Sequence, residues 1–277
     1  MFQQASGFQQ VSDLRAEARE LDALLVTLDE ADWWRPTPFK GWAPFDVIAH
    51  LHRTDLAALL AVTTPEEFVA LRGKPGAKIN AVAQQREHVR TRDPQLLLAD
   101  WRSTLERLCD GLAAGGAQSG VNGARYPWFG PDMGARSFAS ARQMEVWAHG
   151  QDVYDLLRRP RTPTDRIRNI AEMGVRTYGW TFANRQLAPP GPPPKVRLTA
   201  PSGAVWTWNE NAGHDENNGA GLVEGSALEF CQVVTQGRNV ADTRLAAGSH
   251  AAMEWMRLAQ CFAGPPSDPP KKGERAW

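Results

Sequence analysis

The first half of the chain repeats apolar residues with the period of a helix. The segment VSDLRAEARELDALLVTLDEADW carries an apolar residue at every third or fourth position, on one stripe. Segments beginning PFDVIAHLHRTD, TPEEFVALR, DPQLLLADW and ARSFASARQ are also typical of helices, and PGAKINAVAQQREHVRTR is expected to continue helically after a bend. PTDRIRNIAEMGVRTYGWTFANRQ adds one more helix. These patterns predict a helical bundle with a shared core.

The pattern changes at LAPPGPPPK, where five prolines indicate a stiff, extended connector. Beyond it, KVRLTAP and GAVWTWNE alternate like strands, and SALEFCQVVTQGR and HAAMEWMRLAQCF return to a helical pattern. The tail GPPSDPPKKGERAW has the composition of a disordered segment. We therefore predict an α+β protein, with a helical bundle over residues 1–187, a small α+β domain over 195–264 and a disordered tail over 265–277.

Composition excludes several classes of function. The chain has 31 basic and 31 acidic side chains, so its formal net charge of zero gives no attraction to nucleic acid or to an anionic membrane. We find neither a signal peptide nor an apolar run long enough to span a bilayer. Three widely spaced cysteines fit neither a disulfide framework nor a CxxC metal site. We expect a cytoplasmic, soluble protein, monomeric or homodimeric, whose partners are small molecules.

Candidate metal ligands lie on two of the predicted helices. Glu145 and His149 are four residues apart, so they are separated by about 40° around a helix and can face one object. His50 and His52 point about 160° apart, so at most one of them can join that pair. His50 falls within an apolar stripe, whereas His52 lies beside charged residues, Arg53 and Asp55, and is assigned to the solvated face.

Two imidazoles and one carboxylate from facing helices suit a divalent cation such as zinc. Such a site leaves coordination positions open for water or substrate. The same donor set also describes a non-haem iron site. On spacing alone, a surface ion pair or a satisfied polar contact in the core explains Glu145 and His149 equally well.

Two motifs resemble a known family. GW-x-x-x-D-V-I-A-H-L at residues 41–51 and M-E-V-W-A-H-G-x-D-V at 144–153 resemble the mycothiol-dependent maleylpyruvate isomerase family of the DinB-like metal-binding superfamily. The resemblance covers essentially the whole chain. It implies a DinB-like four-helix bundle followed by a small α+β domain, zinc bound by His50, Glu145 and His149, and mycothiol as the thiol cosubstrate. A closer resemblance, through R-x-P-W-F-G-P-x-M-x-A-R-S-F at 125–138, is to an uncharacterised actinobacterial branch.

Further site residues follow from the resemblance and from their positions. Arg238 in TQGRN matches an arginine that can hold an anionic substrate in the family, although it could also cap a helix C-terminus. Trp128 and Phe129 either line the mouth of the site or plug the end of the bundle. Arg136 is a second candidate for holding the substrate. Asp152 is either a partner of the His149 imidazole or a surface acid.

The resulting hypothesis is a metal-dependent enzyme that activates a low-molecular-weight thiol. The thiolate adds to a small electrophile; release of the thiol after bond rotation gives an isomerase, and retention gives an S-transferase. The alternatives are a metal-dependent hydrolase or a non-haem iron enzyme at the same site, or a non-catalytic module that binds a ligand and is stabilised by the metal.

Overall fold

A computed structural model of the chain describes residues 8–73, 92–118, 124–130, 132–210 and 221–275. Most of the helix predicted between residues 75 and 92 lies outside the described residues. The chain divides into two compact units, Met1–Arg158 and Arg159–Trp277. Among the described residues, no helix has both the length and the apolar character that a membrane span requires.

The first unit is a bundle of long helices, as the apolar stripes predict. Its helices are α1 (Gln9–Leu25), α2 (Pro44–Thr63), the short α3 (Pro65–Arg72), α4 (Pro94–Gln118) and α5 (Ala135–Leu157). Helix α2 packs mainly against α4, α1 packs mainly against α5, and α1–α4 and α2–α5 contacts close the bundle. A short antiparallel pair, β1 (Arg125–Tyr126) and β2 (Met133–Gly134), precedes α5. The predicted α+β class with an N-terminal helical bundle is confirmed.

The second unit is built on a four-stranded sheet. Its strands are β3 (Lys195–Thr199), β4 (Val205–Trp208), β5 (Leu222–Ser226) and β6 (Ala246–Ala247), in the spatial order β4-β3-β5-β6. Strand β3 pairs antiparallel with β4 and parallel with β5, and β5 pairs antiparallel with β6. The strands predicted on either side of the Pro-Ser-Gly turn are therefore present, and the side chains of β3 alternate between buried and exposed.

Four helices complete this unit: α6 (Arg168–Arg176), α7 (Tyr178–Ala183), α8 (Ala227–Val234) and α9 (His250–Leu258). Helix α6 lies so close to α8 that a Cβ on Gly174 would come within 2.9 Å of Phe230 and Val234. The segment 159–187, predicted to belong to the bundle, therefore lies in the second compact unit. The apolar face of α6 is buried as expected, but its partner is α8.

The C-terminal tail is ordered through residue 275, contrary to the predicted disorder. Gln236 Nε2 donates a hydrogen bond to the carbonyl of Ser267 over 2.6 Å, and Asn239 Nδ2 donates to that of Pro270 over 2.8 Å. Arg275 is buried, and its Nη1 donates to the Gln236 carbonyl over 3.2 Å. The proline-rich composition indicated disorder, but buried hydrogen bonds to the loop after α8 hold the segment in place.

Removing the Arg275 side chain should destabilise the protein. Burial lowers the pKa of the Arg275 guanidinium to about 10. Arg275→Ala leaves the Gln236 carbonyl without this donor, which typically costs about 1–3 kcal/mol. We expect a decrease of that size in the free energy of unfolding, measured by urea denaturation.

Arg257→Ala is the matched control, because Arg257 is exposed and forms an i,i+3 ion pair with Glu254. Its effect on the free energy of unfolding should stay below about 0.5 kcal/mol. Equal effects of the two substitutions would contradict an ordered tail.

Candidate metal centre

His50 on α2 and Glu145 and His149 on α5 meet inside the bundle. The Nε2 atom of His50 lies 3.2 Å from Glu145 Oε2, and the Nε2 atom of His149 lies 3.5 Å from the same oxygen. One donor atom from each residue lies within 4.8 Å of the other two. Two ligands bound at about 2.1 Å in a tetrahedral site lie about 3.4 Å apart. The three side chains therefore fit a single divalent cation, and the choice of His50 over His52 is supported.

The ionisation states of these groups suit metal ligands. The exposed fractions of the side chains are 11% for His50, 23% for Glu145 and 11% for His149. Burial lowers the pKa of His50 to about 4. Burial alone would raise the pKa of Glu145, but the hydrogen bonds from His149 and His50 outweigh it and hold this pKa well below its usual value. At neutral pH the site therefore has an ionised carboxylate and a neutral His50 imidazole, as cation binding requires.

Asp152 fixes the orientation of the His149 ring. Its Oδ2 atom lies 3.2 Å from His149 Nδ1, and the residue is only 2% exposed. Asp152 is thus a buried partner of the imidazole and not a surface acid. A cation bound at Nε2 would leave the proton on Nδ1, where Asp152 accepts it in a hydrogen bond.

Two aromatic side chains from the loop before α2 cover the histidines. The Trp42 ring lies 5.2 Å from the ring of His50 and stacks on that of His149 at 5.4 Å, between centroids. Phe39 makes an edge contact with His149 at 5.1 Å. We call Phe39 and Trp42 the aromatic wall. It restricts access to the two imidazoles from this side and shields them from water.

A tight turn presents the aromatic wall. The Trp42 N–H donates to the Phe39 carbonyl over 2.9 Å, and Lys40 and Gly41 between them have φ angles of 51° and 65°. Positive φ at both central residues is the type I′ pattern, which favours glycine. In the sequence, the Lys-Gly dipeptide between two aromatic residues is the signal that could have predicted this turn.

A buried polar network lies next to the ligands. Arg142 Nε donates to Asp55 Oδ1 over 2.8 Å, and Arg142 Nη2 donates to Thr54 Oγ1, also over 2.8 Å. The second Asp55 oxygen accepts from Trp101 Nε1 on α4 over 2.9 Å. Thr54 Oγ1 in turn donates to the His50 carbonyl over 2.9 Å. We call Thr54, Asp55 and Arg142 the polar clamp, because they join the two ligand helices.

The prediction of which side chains of α2 face solvent was partly wrong. Asp55, grouped with His52 on the solvated face, is fully buried, whereas the apolar Leu56 next to it is 44% exposed. The reason is that α2 packs against both α4 and α5, so its buried surface is wider than a single stripe. Asp55 lies on the part of that surface where α4 and α5 both supply donors.

Three of the other predicted site residues do not join the cluster. Trp128 stacks on Phe68 at 5.7 Å and Phe129 contacts the same ring at 5.3 Å, so their ring contacts among the described residues are in the apolar core. Arg136 is exposed and precedes Glu145 by nine residues, roughly 13 Å along the helix axis. The core position of Trp128 agrees with the alternative that it plugs the bundle.

Arg238 lies in the second unit, just after α8. Its N–H donates to the Gln232 carbonyl over 3.1 Å, and its Nη1 donates to the Gly237 carbonyl over 2.8 Å. These contacts close the C-terminus of the helix. The role of Arg238 in substrate binding stays a prediction.

Comparison with known proteins agrees with this geometry. The family model described as the mycothiol maleylpyruvate isomerase N-terminal domain matches residues 14–154. Two proteins of Mycobacterium tuberculosis, from strains CDC 1551 / Oshkosh and H37Rv, are each 41% identical over 260 residues, covering 92% of this chain and 96% of theirs. Both are named only as uncharacterized proteins.

Solved structures share the fold. The crystal structure of the mycothiol-dependent maleylpyruvate isomerase aligns with a TM-score of 0.51 at 16% identity, over 81% of this chain and 87% of that chain. The crystal structure of a histidine-to-alanine mutant of that enzyme aligns over the same shares with a TM-score of 0.50. At this identity the similarity establishes the architecture alone.

The buried His50 should make the metal-free protein less stable in mild acid. Its pKa is lowered from 6.5 to about 4, so between these values the unfolded chain binds the proton that the folded chain refuses. The stabilisation is therefore present above pH 6.5 and is lost as the pH falls towards 4, by up to about 3 kcal/mol. Thermal unfolding in the presence of a chelator should show this loss, and His50→Gln should remove most of it.

His250→Gln is the control, because His250 is exposed at the start of α9. It should leave the dependence of the melting temperature on pH unchanged. The same pH dependence in wild type and His50→Gln would contradict a neutral, buried His50.

Proposed function

Because the chain belongs to the mycothiol maleylpyruvate isomerase family, we propose that it is a metal-dependent enzyme that activates a low-molecular-weight thiol, mycothiol or a close analogue. The thiol is transferred to a small electrophile or used to isomerise it. The observation that carries the proposal is the approach of two imidazole Nε2 atoms to one carboxylate oxygen. Each ligand atom is supplied by a residue that the family motifs include.

Zinc is the proposed metal, since His50, Glu145 and His149 provide two nitrogen ligands and one oxygen ligand and leave further positions open. Bound zinc would supply Lewis acidity, which lowers the pKa of a coordinated thiol so that the thiolate exists at neutral pH. Asp152 would accept the Nδ1 proton of a metal-bound His149, and the aromatic wall keeps water from one side of the imidazoles.

The chain's own cysteines support an external thiol. All three cysteines are buried. Burial raises the pKa of the Cys109 thiol to about 12, so this side chain stays protonated and unreactive at neutral pH. A cytoplasmic location is part of the proposal, because that compartment keeps low-molecular-weight thiols reduced.

Arg238 is proposed to hold an anionic group of the electrophile, since a guanidinium binds a carboxylate through two parallel hydrogen bonds. Arg136 stays a second candidate, because it is exposed and its guanidinium is available to a ligand. Trp128 and Phe129 are not included, because their contacts lie in the apolar core.

Purified protein should contain about one divalent ion per chain. Glu145→Ala and His149→Ala each remove one of three protein ligands, so both should lose the ion and reduce turnover by at least about 100-fold. Metal content is measured by elemental mass spectrometry, and turnover is measured with maleylpyruvate and mycothiol.

Cys109→Ala is the control and should keep both metal and turnover, since Cys109 is buried away from the cluster. Full metal content in Glu145→Ala and His149→Ala would contradict the assigned ligands.

Turnover of the natural electrophile should require the thiol as well as the metal. Without mycothiol we expect less than about 1% of the full rate, because the chain offers no thiolate of its own. The comparison is a steady-state assay with and without mycothiol, on maleylpyruvate and on an epoxide.

Full turnover without a thiol would contradict the proposal and favour the hydrolase or the non-haem iron enzyme. Thiol binding without turnover on any electrophile would favour the non-catalytic module.

A further inference from the structure

Burying the charged groups of the polar clamp costs free energy. Asp55 is fully buried and Arg142 is 3% exposed. Removing two charges from water costs several kcal/mol per ion, so a buried ion pair seldom stabilises a protein more than an apolar pair of similar size. Stability of the bundle therefore does not explain why the pair is present. A role in fixing the position of α2 relative to α5 explains it.

The position of the clamp indicates what geometry it fixes. Arg142 precedes Glu145 by three residues on α5, and Thr54 follows His50 by four residues on α2. Each is thus about one helical turn from a ligand. Hydrogen bonds run from Arg142 Nη2 to Thr54 Oγ1 over 2.8 Å and from Thr54 Oγ1 to the His50 carbonyl over 2.9 Å. They form a continuous connection from one ligand helix to the other.

Metal ligation is sensitive to such a connection. Sliding one helix by a single residue shifts it by about 1.5 Å, whereas bond lengths at a metal site are held to within about 0.2 Å. The planar guanidinium of Arg142 reaches Asp55 with Nε and Thr54 with Nη2, so it opposes both sliding and rotation of α2. Apolar packing between the same helices would tolerate small slips.

We infer that Thr54, Asp55 and Arg142 are positioning residues for the metal centre, setting the register that brings His50 to Glu145. This inference rests on the proposed function only through its metal site. None of the three residues is among the proposed metal ligands. It acts by holding α2 against α5.

The test measures zinc affinity and the stability of the metal-free protein separately. In the double variant Asp55→Leu with Arg142→Met, apolar side chains replace the ion pair, so the metal-free protein should still fold, at a somewhat lower unfolding temperature because Trp101 Nε1 loses its acceptor. Its zinc dissociation constant, measured by competition with a chromogenic chelator, should rise by about 10–100-fold. The absorption spectrum of the cobalt-substituted protein should also change, because the ligand geometry is altered.

Thr54→Val serves as the second variant, since it keeps the shape of the side chain and removes only the hydroxyl. It should weaken zinc binding several-fold and fold even where the double variant does not. The control is Arg15→Met with Glu106→Leu, which removes an ion pair of 2.8 Å between α1 and α4, neither of which carries a ligand. Zinc affinity of the control should equal that of the wild type.

Wild-type zinc affinity and an unchanged cobalt spectrum in the double variant would overturn the inference and leave the metal centre intact. Where that variant does not fold, wild-type affinity in Thr54→Val overturns it. A wild-type protein that binds no zinc would contradict the metal centre and this inference together.

Discussion

The cost of burying charge is the constraint on which the bundle depends. A buried carboxylate needs partners, and a partner on another helix ties the two helices together. Asp55 on α2 is satisfied by Arg142 on α5 and Trp101 on α4. Glu145 on α5 is satisfied by His50 on α2 and by His149 on its own helix. The arrangement of the bundle core and the arrangement of the candidate site are therefore consequences of the same pairings.

Local geometry brought the candidate ligands together in the sequence analysis, whereas their assignment to zinc came from the family resemblance. The four-residue spacing places Glu145 and His149 on one face of any helix, and the apolar stripe selects His50 over His52. The alternation of β3 and β4 is similarly local and was sufficient to predict both strands. In each case the periodicity of a single element determines which side chains point inward.

What the sequence could not supply is the identity of each element's partner. Asp55 was assigned to solvent because a single stripe describes a helix with one neighbour, whereas α2 packs against several elements, α4 and α5 among them. Periodicity showed that α6 has an apolar face but not that α8 covers it. Arg275 belongs to a proline-rich tail whose composition indicates disorder, but it is buried and bonds to the carbonyl of Gln236, which is distant in the chain. These predictions failed for one reason. Contacts between residues that are distant in the chain produce no periodic pattern in the sequence.

The residues proposed for thiol activation and the residue proposed for substrate selection lie in different units of the chain. The matched residues, 14–154, include all three ligands, the aromatic wall, the polar clamp and Asp152, so the proposed chemistry belongs to the first unit. Arg238 lies outside the match, in a unit for which the solved structures establish the architecture alone. A metal-bound thiolate can attack many electrophiles, and the groups that choose among them need not be shared between relatives. Thiol activation is therefore the part of the proposal that the first unit supports directly, whereas the proposed role of Arg238 in choosing the electrophile concerns a residue outside the matched range.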